Sequence, residues 1–161
     1  MVLGNSFPDK KKREYVNRSL VPGMIVRLFC PFTSPPKHKF LLLLSMNPEP
    51  VYFIINSLPN PFLIRNFPDQ QVPIKQSDYS AFLSCDSFID CSKPRGDFTV
   101  DEIRKKVLAD VGRIKGKLTK ADRASVVVAI NRNRTIEARL KRTLLHEFGV
   151  KSPLPPKEAK G

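Results

Sequence analysis

Five side chains of this 161-residue chain are of types that ligate metals or act as nucleophiles and bases near neutral pH: Cys30, Cys85, Cys91, His38 and His146. Their spacing argues against both uses. A structural zinc site wants four ligands in short-spaced pairs such as C-x2-C, whereas Cys85 and Cys91 stand six positions apart and each histidine is alone. Three thiols cannot all pair with one another, and a chain of this length needs no disulfide staples, so reduced cysteines are expected. Nothing marks either histidine as the partner of a nucleophilic thiol, and His146 in Leu144-Leu145-His146-Glu147-Phe148 reads as a helix residue. No metal and no cofactor are expected. The phosphate-loop, dinucleotide, zinc-protease and nucleophile-elbow signatures are all missing, which removes support from nucleotide hydrolysis and the common hydrolase mechanisms.

Charge is the stronger signal. The chain carries 28 Lys and Arg against 15 Asp and Glu, a net charge of +13, and the excess is unevenly placed. Residues 21–92 are balanced, with five of each sign, whereas residues 93–161 carry 18 basic and eight acidic side chains. A neutral, apolar half followed by a strongly basic one is the electrostatic footprint of a protein that binds a polyanion, RNA or DNA first among them. The competing reading is that the lysines and arginines only solvate helix faces. Phe29, Phe32 and Phe40, close in sequence to Lys37 and Lys39, and Phe62 beyond them are candidates for base stacking as well as for core packing.

The elements that must position such groups follow from the apolar pattern. Residues 1–21, with Lys10-Lys11-Lys12-Arg13, read as a basic arm or a short helix. Three strand-like runs follow, over 24–30, 39–45 and 51–57, bounded by prolines, with weaker strands at 62–65, 71–75 and 82–90; Pro73 points to an edge position for its strand. Strands this frequent without intervening helices predict a small barrel or strongly curved antiparallel sheet over about residues 22–92. After Gly96 the period turns helical: Thr99 and Glu102 have capping-box spacing ahead of a helix over about 100–110, and a second segment begins near Lys117. The run Val126-Val127-Val128 leaves that segment open between helix and strand. A third helix opens at Thr135-Ile136-Glu137 and ends at Gly149, before a solvated tail at 151–161. The fold expected is therefore α+β, one domain over 22–150 with helices over about 99–149. The longest apolar run, Phe40 to Leu44, is far too short to span a membrane, and the N-terminal order of apolar then basic residues is the reverse of a secretory signal. A cytoplasmic protein is expected.

The order Pro22-Gly23-Met24-Ile25-Val26, a polar loop ending in Lys37-His38-Lys39, and then Leu-rich and Ile-rich strands resembles the MazF/PemK-like toxin family. Ser84-Cys85-Asp86-Ser87-Phe88-Ile89-Asp90 looks like that family's late strand, and Gly116-Lys117-Leu118-Thr119 like its entry into a terminal helix. The resemblance covers roughly residues 22–132. It implies an SH3-like antiparallel barrel, a homodimer, metal-independent cleavage of single-stranded RNA, and control by an antitoxin protein.

By the same resemblance, the arginine of the family's first loop would be replaced by Lys37 or Lys39, and the hydroxyl or amide at the end of its third strand would be Ser57 or Asn56. Asp86 would match the aspartate of its late Arg-x-Asp, with Ser84 in the place of the arginine. Cleavage through the ribose 2′-hydroxyl needs a base, an acid for the leaving 5′-oxygen and a cation on the phosphate. Asp86 or His38 would serve as base, His38 or Lys39 as acid, and Lys37 or Lys39 as cation. Arg113, Lys115, Lys117, Arg132 and Arg134 would bind the RNA. Because both family arginines are missing, the alternative is a catalytically silent relative that binds nucleic acid or a protein.

Overall fold

A computed structural model describes residues 9–150; the tail expected at 151–161 and the first part of the N-terminal arm lie outside the described residues. The protein is α+β. Its centre is a six-stranded antiparallel sheet made of β1 (Met24–Cys30), β2 (Lys37–Ser45), β3 (Val51–Asn56), β4 (Gln71–Ile74), β5 (Ser87–Arg95) and β6 (Ile114–Lys117). The spatial order is β4-β5-β3-β2-β1-β6, so the sheet curls as a half-barrel and its two outer strands do not pair. Three connected strands in the middle arise as β1 pairs with β2, and β2 with β3, in antiparallel register.

The middle strands are buried on both faces, which is why they read as unbroken apolar runs. Alternate residues along β2 go to opposite sides. Leu42 and Leu44 join Ile25, Phe53, Ile55 and Ile89 beneath α4 (Lys120–Arg132) and α5 (Ala138–Glu147), which add Val126, Ile130 and Leu144. Leu41 and Leu43 join Val26, Leu28 and Tyr52 on the other side, under α1 (Asp9–Ser19) and α3 (Val100–Ala109), which contribute Val16, Ile103 and Val107. Each such leucine contributes about 1.5–3 kcal/mol by leaving water. Of the two readings for the N-terminal segment, residues 9–19 take the helix. No helix among the described residues is long and apolar enough to cross a membrane.

Several expectations are met in detail. β4 is an edge strand, as Pro73 requires, because proline gives no amide to a second neighbour. Thr99 and Glu102 form the reciprocal capping box that starts α3. The three valines lie in α4, whose start is held by Thr119 accepting from the Asp122 amide; that helix begins at Lys120 and not at Lys117. Gly149 adopts φ +82° just beyond α5, the left-handed stop expected of glycine.

Three expectations are corrected. The strand read at 62–65 is a short helix, α2 (Pro61–Asn66), because Asn60 caps it by accepting from the Phe62 and Leu63 amides and Pro61 fits the first helical turn. The strand read at 82–90 starts only at Ser87, after a turn in which the Gln76 amide donates to Asp86 Oδ1 at 2.8 Å. The sheet is also not complete within 22–92, since β6 arrives from residues 114–117 to pair with the outer edge of β1.

Candidate functional site

The two helical layers cover the second half of β2 and leave its first half uncovered: Leu41 to Ser45 are buried, while Lys37 and His38 are exposed and Lys39 and Phe40 half-buried. Here β2 begins, β3 ends and the turn before β5 comes alongside. A cavity of about 180 Å³ lies at this rim, and its wall includes Lys37, His38, Lys39, Ser57, Ser84 and Cys85. Four of the five residues assigned to catalysis from the sequence therefore share one cavity wall. Asp86 is not part of it; the neighbouring Cys85 and Ser87 are.

The pleat divides the basic triplet. Phe29 and His38 are register partners on β1 and β2, and their rings meet edge to face at 5.3 Å between centroids. Lys39, one residue on, goes to the opposite side and donates from Nζ to Asn56 Oδ1 at 2.6 Å. Burial and the charge of Lys37 lower the Lys39 pKa from its usual value. Partial desolvation, with the nearby Arg27 and Arg113 cations, also lowers that of His38, favouring its neutral ring. A neutral imidazole is competent to take a proton, but the strand directs it away from the lysine one residue along.

Cationic and aromatic side chains alternate on the His38 side. The Arg27 guanidinium lies 5.9 Å from the centroid of the Phe40 ring, Phe40 packs against Phe82, and Phe29 is a well-exposed aromatic. Arg113 reaches across from the turn before β6 to donate to the Arg27 carbonyl at 3.4 Å. Lys115 and Lys117 lie on β6 itself, so three of the five residues assigned to RNA binding gather along the β1–β6 edge. Arg132 and Arg134 do not. They lie at the C-terminal end of α4 and just beyond it, in the wall of another cavity that also includes Ser92 of β5 and Gln70.

Two of the three thiols are structural. Cys30 and Cys91 are buried and Cys85 is exposed, all three as free thiols; burial pushes the Cys30 thiol up to about 11 and Cys91 higher than an ordinary thiol. A thiol held protonated is a poor nucleophile. On the α3 side of the sheet Arg95 grips Asp97 through two hydrogen bonds of 2.9 and 3.1 Å, and Tyr52 donates to the same carboxylate. Tyr79, desolvated and bonded to Asp122, is pushed up to about 12; it ties the turn before β5 to the start of α4. Sequence reasoning missed both networks, because their members are 43 and 45 positions apart. Among the described residues no group of three or more His, Cys, Asp or Glu is placed to hold a metal ion. Comparison of the chain with protein-family models, curated proteins and solved structures returned no match.

Proposed function

We propose that the protein binds single-stranded RNA at the rim where β2 begins and β3 ends, as a toxin-like, metal-independent endoribonuclease with an SH3-like barrel of the MazF/PemK-like kind. One observation carries the reading: Lys37, His38, Lys39 and Ser57 share one cavity wall, and on the other side of the same strand the Lys39 ammonium meets the Asn56 amide at 2.6 Å. These are the cation and the strand-end polar group that the resemblance assigns to the scissile phosphate. Lysine offers a phosphate a point charge in place of the two-pronged grip of guanidinium. The exposed Phe29 ring, with His38 against it and Arg27 and Arg113 nearby, supplies the stacking and cationic surface that an unpaired base and its backbone require.

The second reading, a catalytically silent binder of nucleic acid or protein, has its own support. Asp86 already accepts from the Gln76 amide outside the cavity wall, and the pleat separates His38 from Lys39. On the enzyme reading, His38 takes the proton of the 2′-hydroxyl, Lys39 gives one to the leaving 5′-oxygen and Lys37 carries the phosphate charge. The homodimer and the antitoxin remain part of the proposal through the resemblance alone.

The test is incubation of the purified protein with a long single-stranded RNA in EDTA, beside Lys39→Ala, His38→Ala and Asp86→Ala, with fragment ends sequenced. Discrete cuts by the unaltered and Asp86→Ala proteins are expected, lost in the other two while their folds persist. RNA retention without cutting would move the protein to the silent class, and absence of both would overturn the RNA reading.

A further inference from the structure

The cavity that holds Arg132 and Arg134 lies on the far side of the sheet from the β1–β6 edge. It measures about 400 Å³, and its wall brings together apolar Leu63 and Phe67 of the α2 region, Asp69, Gln70 and the two arginines. That volume is within the range of small-molecule sites.

Two features bear on what this cavity can hold. Gln70 is only 4 % exposed, and its side-chain oxygen Oε1 is buried with no hydrogen-bond partner among the described residues. A buried acceptor left in that state destabilises the fold, a cost that a donor on a ligand would remove. The second feature is Asn133, whose side chain is fully engaged. It donates to the carbonyls of Cys91 and Ser92 at 2.9 and 3.1 Å and accepts from the Thr135 and Ile136 amides. The backbone between the two arginines is thereby fastened to β5, so the cations are presented from a fixed turn. Neither arginine makes an ion pair among the described residues.

We propose that this cavity binds a nucleotide. The phosphate is taken by Arg132 and Arg134, the guanidinium being the side chain suited to two-pronged phosphate contact. The base lies against Leu63 and Phe67 and offers its polar edge to the Gln70 amide. The Asp69 carboxylate fixes the direction, since it repels phosphate and attracts the amino or ring N–H of a base. A free mononucleotide and one residue of an RNA strand present the same chemistry. The proposal does not rest on the RNA reading of the β2 rim and uses different residues.

The experiment titrates the four ribonucleoside 5′-monophosphates, inorganic phosphate and a short single-stranded oligonucleotide into the full chain by calorimetry. Arg134→Ala, Arg132→Ala and Gln70→Met are measured alongside. The arginines are exposed, so their removal leaves the fold intact, and Gln70→Met keeps the bulk without the amide. At least one mononucleotide is expected to bind more tightly than phosphate, with affinity falling about tenfold in each arginine variant and the preference among bases blunted in Gln70→Met. Binding of the oligonucleotide alone, with the same sensitivities, would assign the site to a strand. Equal binding of phosphate and nucleotides, or binding indifferent to both arginines, would overturn the proposal.

Discussion

The two halves of β2 obey opposite rules. From Leu41 to Ser45 every residue is buried, because helices cover both faces of the sheet. From Lys37 to Phe40 the same strand emerges from between those layers, and its side chains become charged or aromatic, exposed at Lys37 and His38 and half-buried at Lys39 and Phe40. The ladder with β1 runs without a break from the exposed half into the buried one, with Cys30 to Ile25 opposite Lys37 to Leu42. One rigid ladder thus serves a core at one end and presents side chains at the other, which is how a small domain holds polar groups in fixed positions.

The sharpest way to break the comparison is to truncate one residue in each half. Leu42→Ala removes a fully buried side chain and is expected to lower unfolding free energy by about 2–5 kcal/mol in denaturant titrations, with RNA affinity unchanged while the protein stays folded. Lys39→Ala should do the reverse. It is expected to weaken RNA binding about tenfold, roughly 1.4 kcal/mol, with stability altered by less than about 0.5 kcal/mol. Thr99→Ala removes half of the capping box of α3 and, by loosening one helical layer, should cost about 1 kcal/mol without touching RNA affinity.

The smallest effect is a titration. Partial desolvation and the charges of Arg27 and Arg113 hold His38 below its ordinary pKa of 6.5, so the unfolded chain binds this proton more readily than the folded one. Its contribution to stability is therefore present above the ordinary value and lost as pH falls through the interval down to the folded pKa. The His38 imidazole resonances should titrate below 6.5, move upward in Arg113→Ala, and move upward again when RNA phosphate offsets the cations.

Much of the buried half was legible in the sequence. The apolar runs of β1 to β3, Pro73 on an edge strand and the Thr99–Glu102 box are local patterns, and local patterns survive folding. The unbroken run Leu41 to Leu44 also held a signal against a barrel with one wet face, since only a sheet covered on both sides buries consecutive residues. β6 was not legible because Ile114-Lys115-Gly116-Lys117 has little strand character of its own; it forms because the edge of β1 needs a partner. The helix at α2 was signalled by Asn60-Pro61, a cap followed by a first-turn proline, beneath an apolar pattern that suggested a strand. At the exposed half, the residue types were readable but their directions were not. Whether His38 and Lys39 act on one atom depends on the pleat, and whether Lys39 meets Asn56 depends on a hairpin register set by loop geometry.

The most direct test of the account is the salt dependence of single-stranded RNA binding, followed by fluorescence anisotropy for the unaltered protein and for the Lys37→Ala/Lys39→Ala pair. Each phosphate neutralised on a single strand contributes a slope of about −0.7 in log affinity against log salt. If the rim of β2 holds the backbone, removing both lysines makes the slope shallower by about 1.4 units, two contacts' worth. An unchanged slope would contradict the account and place the RNA elsewhere on the protein.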